Sequence, residues 1–320
     1  MTHDELWKKF PGTALQFERR FRTEKACREY LIEVRWAGVP RCGRCGGTEV
    51  WSMRRRAVWQ CSGCGYQTSV TAGTPLQGTR KPLRMWFRAM WEVVTRKNGI
   101  SAKDLQRLLG LRSYQTAWTW LHKLRAMLST LGHEPLSGTV QTDEGFVGGH
   151  RLGSPKGRST AQKKLVIVAA EPSGRIRLSH GPDSSSATFK RFFALHVAHY
   201  AAVTTDGWRG YRGGAMGDRA HRPVVQSTSD RRKHDALQHC HWAIAQLKRW
   251  WLGTHHGAIG TKHAQAYLDE FTFRFNRRKT KGIGRLVARA FQQLVGVSPK
   301  PYKLLKTYQP FPHFVPEGNG

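Results

Sequence analysis

Four cysteines constrain this chain more than any other feature. Cys42, Cys45, Cys61 and Cys64 form C-x2-C-x15-C-x2-C, a spacing that suits tetrahedral zinc gripped between two knuckles. The N-terminus, MTHDELWKKFPG, lacks the apolar stretch of a secretory signal, so the pairs read as metal ligands rather than disulfides. Gly46 and Gly65, each directly after a cysteine, permit the tight turns that such knuckles need. The intervening VWSMRRRAVWQ reads as two short strands. Residues 37–75 are therefore expected to form a zinc ribbon around a structural Zn2+. Within it Arg54, Arg55 and Arg56, flanked by Trp51 and Trp59, either track a phosphate backbone or form a solvated charge run.

Charge decides the class of partner. Lys and Arg number 53 against 21 acidic residues, a net +32 spread along nearly the whole chain. So large an excess points to an extended polyanion, DNA or RNA, contacted by several modules. Ribosomal and packaging proteins share the charge but are usually shorter and rarely carry 12 Trp. No apolar run approaches the roughly 18 residues of a spanning helix. A cytoplasmic, nucleoid-associated protein with no membrane partner is expected.

Residues 1–36 read as an N-terminal helical segment. In TEKACREYLIEVRW, Thr23 can cap, and Ala26, Cys27, Tyr30, Leu31 and Val34 recur at helical spacing, which makes Cys27 a core residue. Residues 80–130 also read as helical. Ser101 and Asp104 sit in capping-box positions, and a turn at Gly110 leads to a second amphipathic helix with Ser113 as its cap. This is the helix-turn-helix pattern. Gln115, Thr116, Thr119 and Lys123 are its candidates for facing a major groove; many plain helical pairs share the spacing.

From about residue 137 the texture changes. TVQTDEGFVGG, KKLVIVAAEP, RIRLSHG and AAVTTDG read as strands, with a helix at SATFKRFFALHVAHY between the last two. That order fits an α/β domain with a mixed sheet over 137–280. HRLGSPKGRSTAQKK is a basic loop expected near substrate. Helical stretches follow at 235–252, 262–278 and 283–296. Residues 281–320 read as a C-terminal helix and irregular tail.

Two carboxylates close strand-like runs here, Asp143 in TDEG and Asp206 in TTDGW. Asp183, in GPDSSS, reads instead as a cap, and Asp218 and Asp230 as surface-loop residues. Carboxylates on neighbouring strands can hold divalent ions that clamp both oxygens of a phosphodiester displacement, and hard oxygen ligands suit Mg2+ or Mn2+. On the helix at 235–251, Leu237, Cys240, Ile244, Leu247 and Trp251 mark a buried face. His241 and Lys248, nearly two turns apart, are expected on that same face. His241 would be a metal ligand or a proton-transfer group, and Lys248 would hold DNA phosphate. Glu270, Arg274 and Arg277 share another helical face. They form either a structural ion-pair ladder or a substrate-positioning group.

These residues give the chain its resemblance, over nearly its whole length, to bacterial insertion-sequence transposases of the DDE superfamily (ISXO-like group). The ribbon cysteines carry it, together with GTPLQGTRKPLRMWF, SAKDLQRLLGLRSYQTAWTWLHKLR, TDEGFVGG, TDGWRGY and HWAIAQLKRWWLGTHHGAIGTKHAQAYLDEFTFRFNRR. The resemblance implies an RNase H-like catalytic domain in which Asp143 and Asp206 are the first two catalytic acids. His241 then stands where the wider superfamily has a third acid, with Lys248 seven positions on. Glu144 falls on the opposite strand face. The implied activity is metal-dependent strand cleavage and strand transfer at the element's terminal inverted repeats, by a homo-oligomer on double-stranded DNA. The alternative is a zinc-ribbon, helix-turn-helix transcriptional regulator without catalysis.

Overall fold

The computed structural model describes residues 10–53, 57–129, 134–148, 163–224, 236–257 and 259–307. Arg54, Arg55 and Arg56, most of the basic loop after Gly148, and Asp230 lie outside the described residues. The chain divides into two compact units. One comprises residues up to Leu128 together with Lys279–Lys306, and the other comprises Ser129–Arg278.

The first unit begins with α1 (Ala14–Arg20) and α2 (Glu24–Trp36), each started by a threonine whose hydroxyl accepts from a first-turn N–H: Thr13 from Gln16 and Thr23 from Ala26. Cys27 is fully buried and donates its thiol to Phe21 O; it is a core cysteine, as expected. The ribbon follows as an antiparallel sheet of β1 (Val50–Met53), β2 (Val58–Cys61) and β3 (Gln67–Ser69). The third strand was not anticipated: Gln67–Ser69 is too short to leave a periodicity of its own. Then come α3 (Leu83–Thr95), α4 (Ala102–Leu109) and α5 (Tyr114–Met127). Ser101 and Ser113 cap α4 and α5, and Gly110 ends α4 in the left-handed region at φ 60°.

The core of this unit is aromatic. Phe10, Phe17, Phe21, Tyr30, Phe87 and Phe291 pack ring on ring. Phe291 belongs to α9 (Ile283–Val295), so the C-terminal helix is an integral part of the N-terminal unit. The sequence alone sets 281–320 apart as a helix and irregular tail. That tail also contains a short helix, α10 (Tyr302–Lys306).

The second unit is a five-stranded mixed sheet with helices on both faces. Its strands are β4 (Thr139–Val147), β5 (Lys164–Ala170), β6 (Ile176–His180), β7 (Ala202–Thr205) and β8 (Ala220–Pro223), in spatial order β6-β5-β4-β7-β8. The first three strands pair antiparallel, whereas β4–β7 and β7–β8 are parallel. β8 adds a strand to the four expected. Its residues are largely exposed, so no apolar alternation announced it.

One face carries α6 (Ser186–His196), whose Phe189, Phe192 and Phe193 pack on Val140, Ile167, Ala169 and Val203. The other carries α7 (Gln238–His255) and α8 (Ala264–Asn276), packed on Val147, Val166, Val168, Ile176 and Leu178. β6 is an edge strand, and two amides of α8 cover its open backbone groups. Gln265 accepts from His180 N and donates to Leu178 O, while Asn276 accepts from Ile176 N and donates to Ile176 O. An edge satisfied this way offers no template to another strand. Among the described residues no helix is long and apolar enough to cross a membrane.

Candidate active site

Period-two alternation puts Gln141, Asp143, Gly145 and Val147 on the face of β4 that meets α7, and three of them set that helix in place. Gln141 Oε1 accepts from His239 N at 2.9 Å, capping a helix whose own N-cap residue, Leu237, makes no side-chain cap. Asp143 Oδ2 lies 3.4 Å from His241 Nε2. Gly145 leaves room for Ile244, which an added Cβ would approach to 3.1 Å. A glutamine, an aspartate and a glycine at alternate positions thus align α7 along β4 and bring His241 to the carboxylate.

Register brings up the second carboxylate. β4 and β7 pair in parallel through Gln141↔Thr204, and two residues further along each chain come Asp143 and Asp206. Continued by two residues, that register would set Asp206 level with Asp143, and the Asp206 charge is felt at Asp143. Asp143 does not close its strand, as the sequence suggested. It sits mid-way along β4, paired with Val168 on β5, just beyond the stretch that β7 reaches. Asp206 does follow its strand, and its Oδ1 accepts from Trp208 N at 2.9 Å.

His241 and Lys248 correct a second expectation. Both are exposed, His241 by 45% of its side chain, and neither belongs to the buried stripe of Cys240, Ile244, Leu247 and Trp251. Each follows a buried residue by one position, about 100° around the helix, which places it on the flank.

Burial pushes the Asp143 carboxyl above its ordinary range, while His241 foremost, and Lys248 more weakly, pull it back down. A carboxylate taken out of water in this way gains from any cation placed beside it. Glu144 points to the other face, where it accepts from Tyr211 OH at 2.5 Å. Burial foremost, aided by the Asp206 and Asp143 charges, pushes Glu144 up to about 7. Neither the Tyr211 contact nor the capping role of Gln141 was read from the sequence, since both depend on which strands are neighbours. Asp183 is not the cap that the sequence suggests: Ser185 is the N-cap residue of α6, and Asp183 Oδ1 supports it by accepting from Ser185 N and Thr188 Oγ1.

The donor set suits a hard divalent ion. The 3.4 Å between Asp143 Oδ2 and His241 Nε2 is near the roughly 3 Å separation of neighbouring ligands around an ion bound at about 2.1 Å. Among the described residues, however, only the four cysteines gather three or more ligand atoms within 4.8 Å of one another. Their Sγ atoms stand 3.5 Å apart for Cys42–Cys64 and 3.6 Å for Cys45–Cys61. Zinc–sulfur bonds of about 2.3 Å in a tetrahedron demand roughly 3.8 Å. Each knuckle closes by backbone bonds, Gly46 N to Cys42 O and Gly65 N to Cys61 O, with both glycines at positive φ. These residues fit zinc.

The remaining candidates divide. Gln115 is exposed and donates to Tyr302 OH of α10. Thr116 is half-buried, and Thr119 turns its hydroxyl back to Gln115 O. Lys123 departs from expectation. It is half-buried, its Nζ sits over the Trp86 ring, and burial lowers its pKa. The exposed part of α5 is its first turn, Tyr114 and Gln115. Arg274 is largely buried and bonds Glu270 through Nε and Nη2, the structural arm of the expected ladder. Arg277 lies over the Phe273 ring instead.

Residues 135–276 match the family model of the ISXO2-like transposase domain, and residues 22–67 match that of the transposase zinc-ribbon domain. The first match runs from just before β4 to the last residue of α8, and the second contains all four cysteines. No curated protein matches the chain.

Proposed function

We propose, from the premise that the chain belongs to the family of transposases with a zinc ribbon and an ISXO2-like DDE domain, that it binds an insertion sequence's terminal inverted repeats and cleaves and joins DNA there. The observation that carries this reading is His241 Nε2 at 3.4 Å from Asp143, with the Asp206 charge felt at that same carboxylate. Asp143, Asp206 and His241 would hold Mg2+ or Mn2+. Such an ion polarises the scissile phosphate and lowers the pKa of the attacking hydroxyl. Asp143 contributes a carboxylate already desolvated by its strand, which binds a cation more strongly than a hydrated one. Asp206 supplies the second charge from a turn held by the Trp208 N–H. His241 is a neutral ligand where a third acid would add charge. Lys248, on the same helix flank, positions a non-bridging phosphate oxygen.

DNA recognition falls to the first unit. The ribbon, held by structural zinc, and the α4–Gly110–α5 pair acting as a helix-turn-helix would bind the repeats. The exposed first turn of α5 and the surplus of Lys and Arg support that role. Two copies acting together would join the element's two ends, in the cytoplasm and on chromosomal DNA. A regulator would need neither the paired aspartates nor the histidine beside them.

The test is strand cleavage by the full chain on duplexes carrying the inverted repeats that flank the gene. Wild type should nick at the element's end with Mg2+ or Mn2+ and not with EDTA. Asp206→Asn should lose cleavage by a factor of about 100 or more, as for removal of a transition-state charge interaction, while binding the same DNA. Cleavage by Asp206→Asn at the wild-type rate would overturn the assignment. Tight binding with no metal-dependent cleavage by wild type would favour the regulator.

A further inference from the structure

We infer that Trp208 is a base-stacking residue, which receives a nucleobase unstacked from the duplex beside the scissile phosphate; this rests on the transposase reading above. Trp208 follows Asp206 by two residues and is 46% exposed. It is also fixed in place. Its backbone N–H donates to Asp206 Oδ1 at 2.9 Å, and its Nε1–H donates to Ser184 O at 3.4 Å. The ring lies against Gly210, where an added Cβ would fall 2.8 Å from Nε1 and 2.4 Å from Ser184 O. Ser186 Oγ ties that turn to the start of α6 by donating to Gly210 O at 2.9 Å. The single helical turn Arg209–Tyr211 is pinned below by Tyr211, which is buried.

A rigid, exposed indole beside a metal-binding carboxylate presents a flat π-face, and every nucleobase can stack on such a face whatever its sequence. Arg209 and Arg212, both exposed on the same turn, supply cations for the adjoining phosphates. Unstacking a base next to the cleaved bond frees its phosphodiester from duplex geometry. A stacked indole offsets the stacking lost in the duplex. The ligand of this site is thus an unpaired base of the strand being cut.

The experiment uses the full chain, Mn2+ and an inverted-repeat duplex, either fully paired or mismatched at the base pair adjoining the cut mapped with wild type. On the paired duplex Trp208→Ala should cut roughly tenfold or more slowly, the scale of one base–aromatic stack. Trp208→Phe should retain most of the rate. The mismatch, which unpairs the base in advance, should bring Trp208→Ala to within about threefold of wild type on the same DNA. A Trp208→Ala rate equal to wild type on paired DNA overturns the proposal. So does an equal deficit on paired and mismatched DNA, which marks a merely structural ring; in both cases the transposase reading stands. Failure of wild type to cut either duplex would instead sink the transposase reading, and this proposal with it.

Discussion

Asp143 owes its position to its neighbours on β4 as much as to itself. Gln141 closes the start of α7, Gly145 admits Ile244, and His241 reaches the carboxylate between them. Replacing Gln141 by Ala leaves the His239 N–H without its acceptor, worth about 1 kcal/mol of stability. The larger effect should be kinetic: with the first turn of α7 loosened around His241, cleavage should fall by about tenfold or more. A Gln141→Ala enzyme that loses stability but keeps its full rate would separate the cap from the site.

A second carboxyl gives a pH signature. Asp269 is buried within α8, accepts from Gln265 Nε2 at 3.0 Å, and is pushed by burial up to about 7. An acid whose pKa is raised on folding binds a proton in the folded state that the unfolded state has already released. Stability from this group is full below about 4 and is lost as pH rises through about 7. Thermal unfolding should therefore show the catalytic unit less stable at pH 8 than at pH 5. In Asp269→Asn that slope should flatten, and an unchanged slope would assign it to other groups.

Among the elements, the ribbon depends most on something other than its own packing. β1, β2 and β3 are three or four residues each, and Cys42 and Cys61 are its buried ligands. Three such strands bury too little to stand without the metal. Chelation, or Cys61→Ser, should release stoichiometric zinc, abolish the ribbon's amide-exchange protection and leave that of the catalytic sheet intact. Retention of ribbon protection in a zinc-free chain would contradict the assignment.

This module was also the most legible part of the sequence, because ligand spacing is a local property. Helices with serine or threonine caps were legible for the same reason, as at Thr23, Ser101 and Ser113. What escaped notice was relational. β8 carries no apolar alternation, so only pairing with β7 makes it a strand. The exposed flank holding His241 and Lys248 lies one position from the buried stripe, closer than a seven-residue spacing can resolve. Asp143 ended a readable motif, TDEG, while its strand continued four residues further through a glycine.

For the whole molecule, topology did what no segment could announce. α9 returns from the far end of the sequence to seat Phe291 among Phe10, Tyr30 and Phe87. Nothing in its amphipathic pattern names the partner it covers. The catalytic unit, by contrast, was readable in outline because strand, strand, strand, helix, strand admits few mixed sheets. The parallel placement of β7 beside β4 then follows from the long crossover through α6, and with it the reach of the Asp206 charge to Asp143.

In the proposed mechanism Asp206 would touch a metal ion during DNA cleavage. The most direct test replaces the hard oxygen by a softer ligand. Asp206→Cys should be inactive on inverted-repeat DNA in Mg2+ and should recover a substantial part of its cleavage in Mn2+, which accepts sulfur more readily. Wild type should cut in both metals. Asp206→Cys cleaving as well as wild type in Mg2+, or failing equally in both metals while wild type cuts, would contradict it.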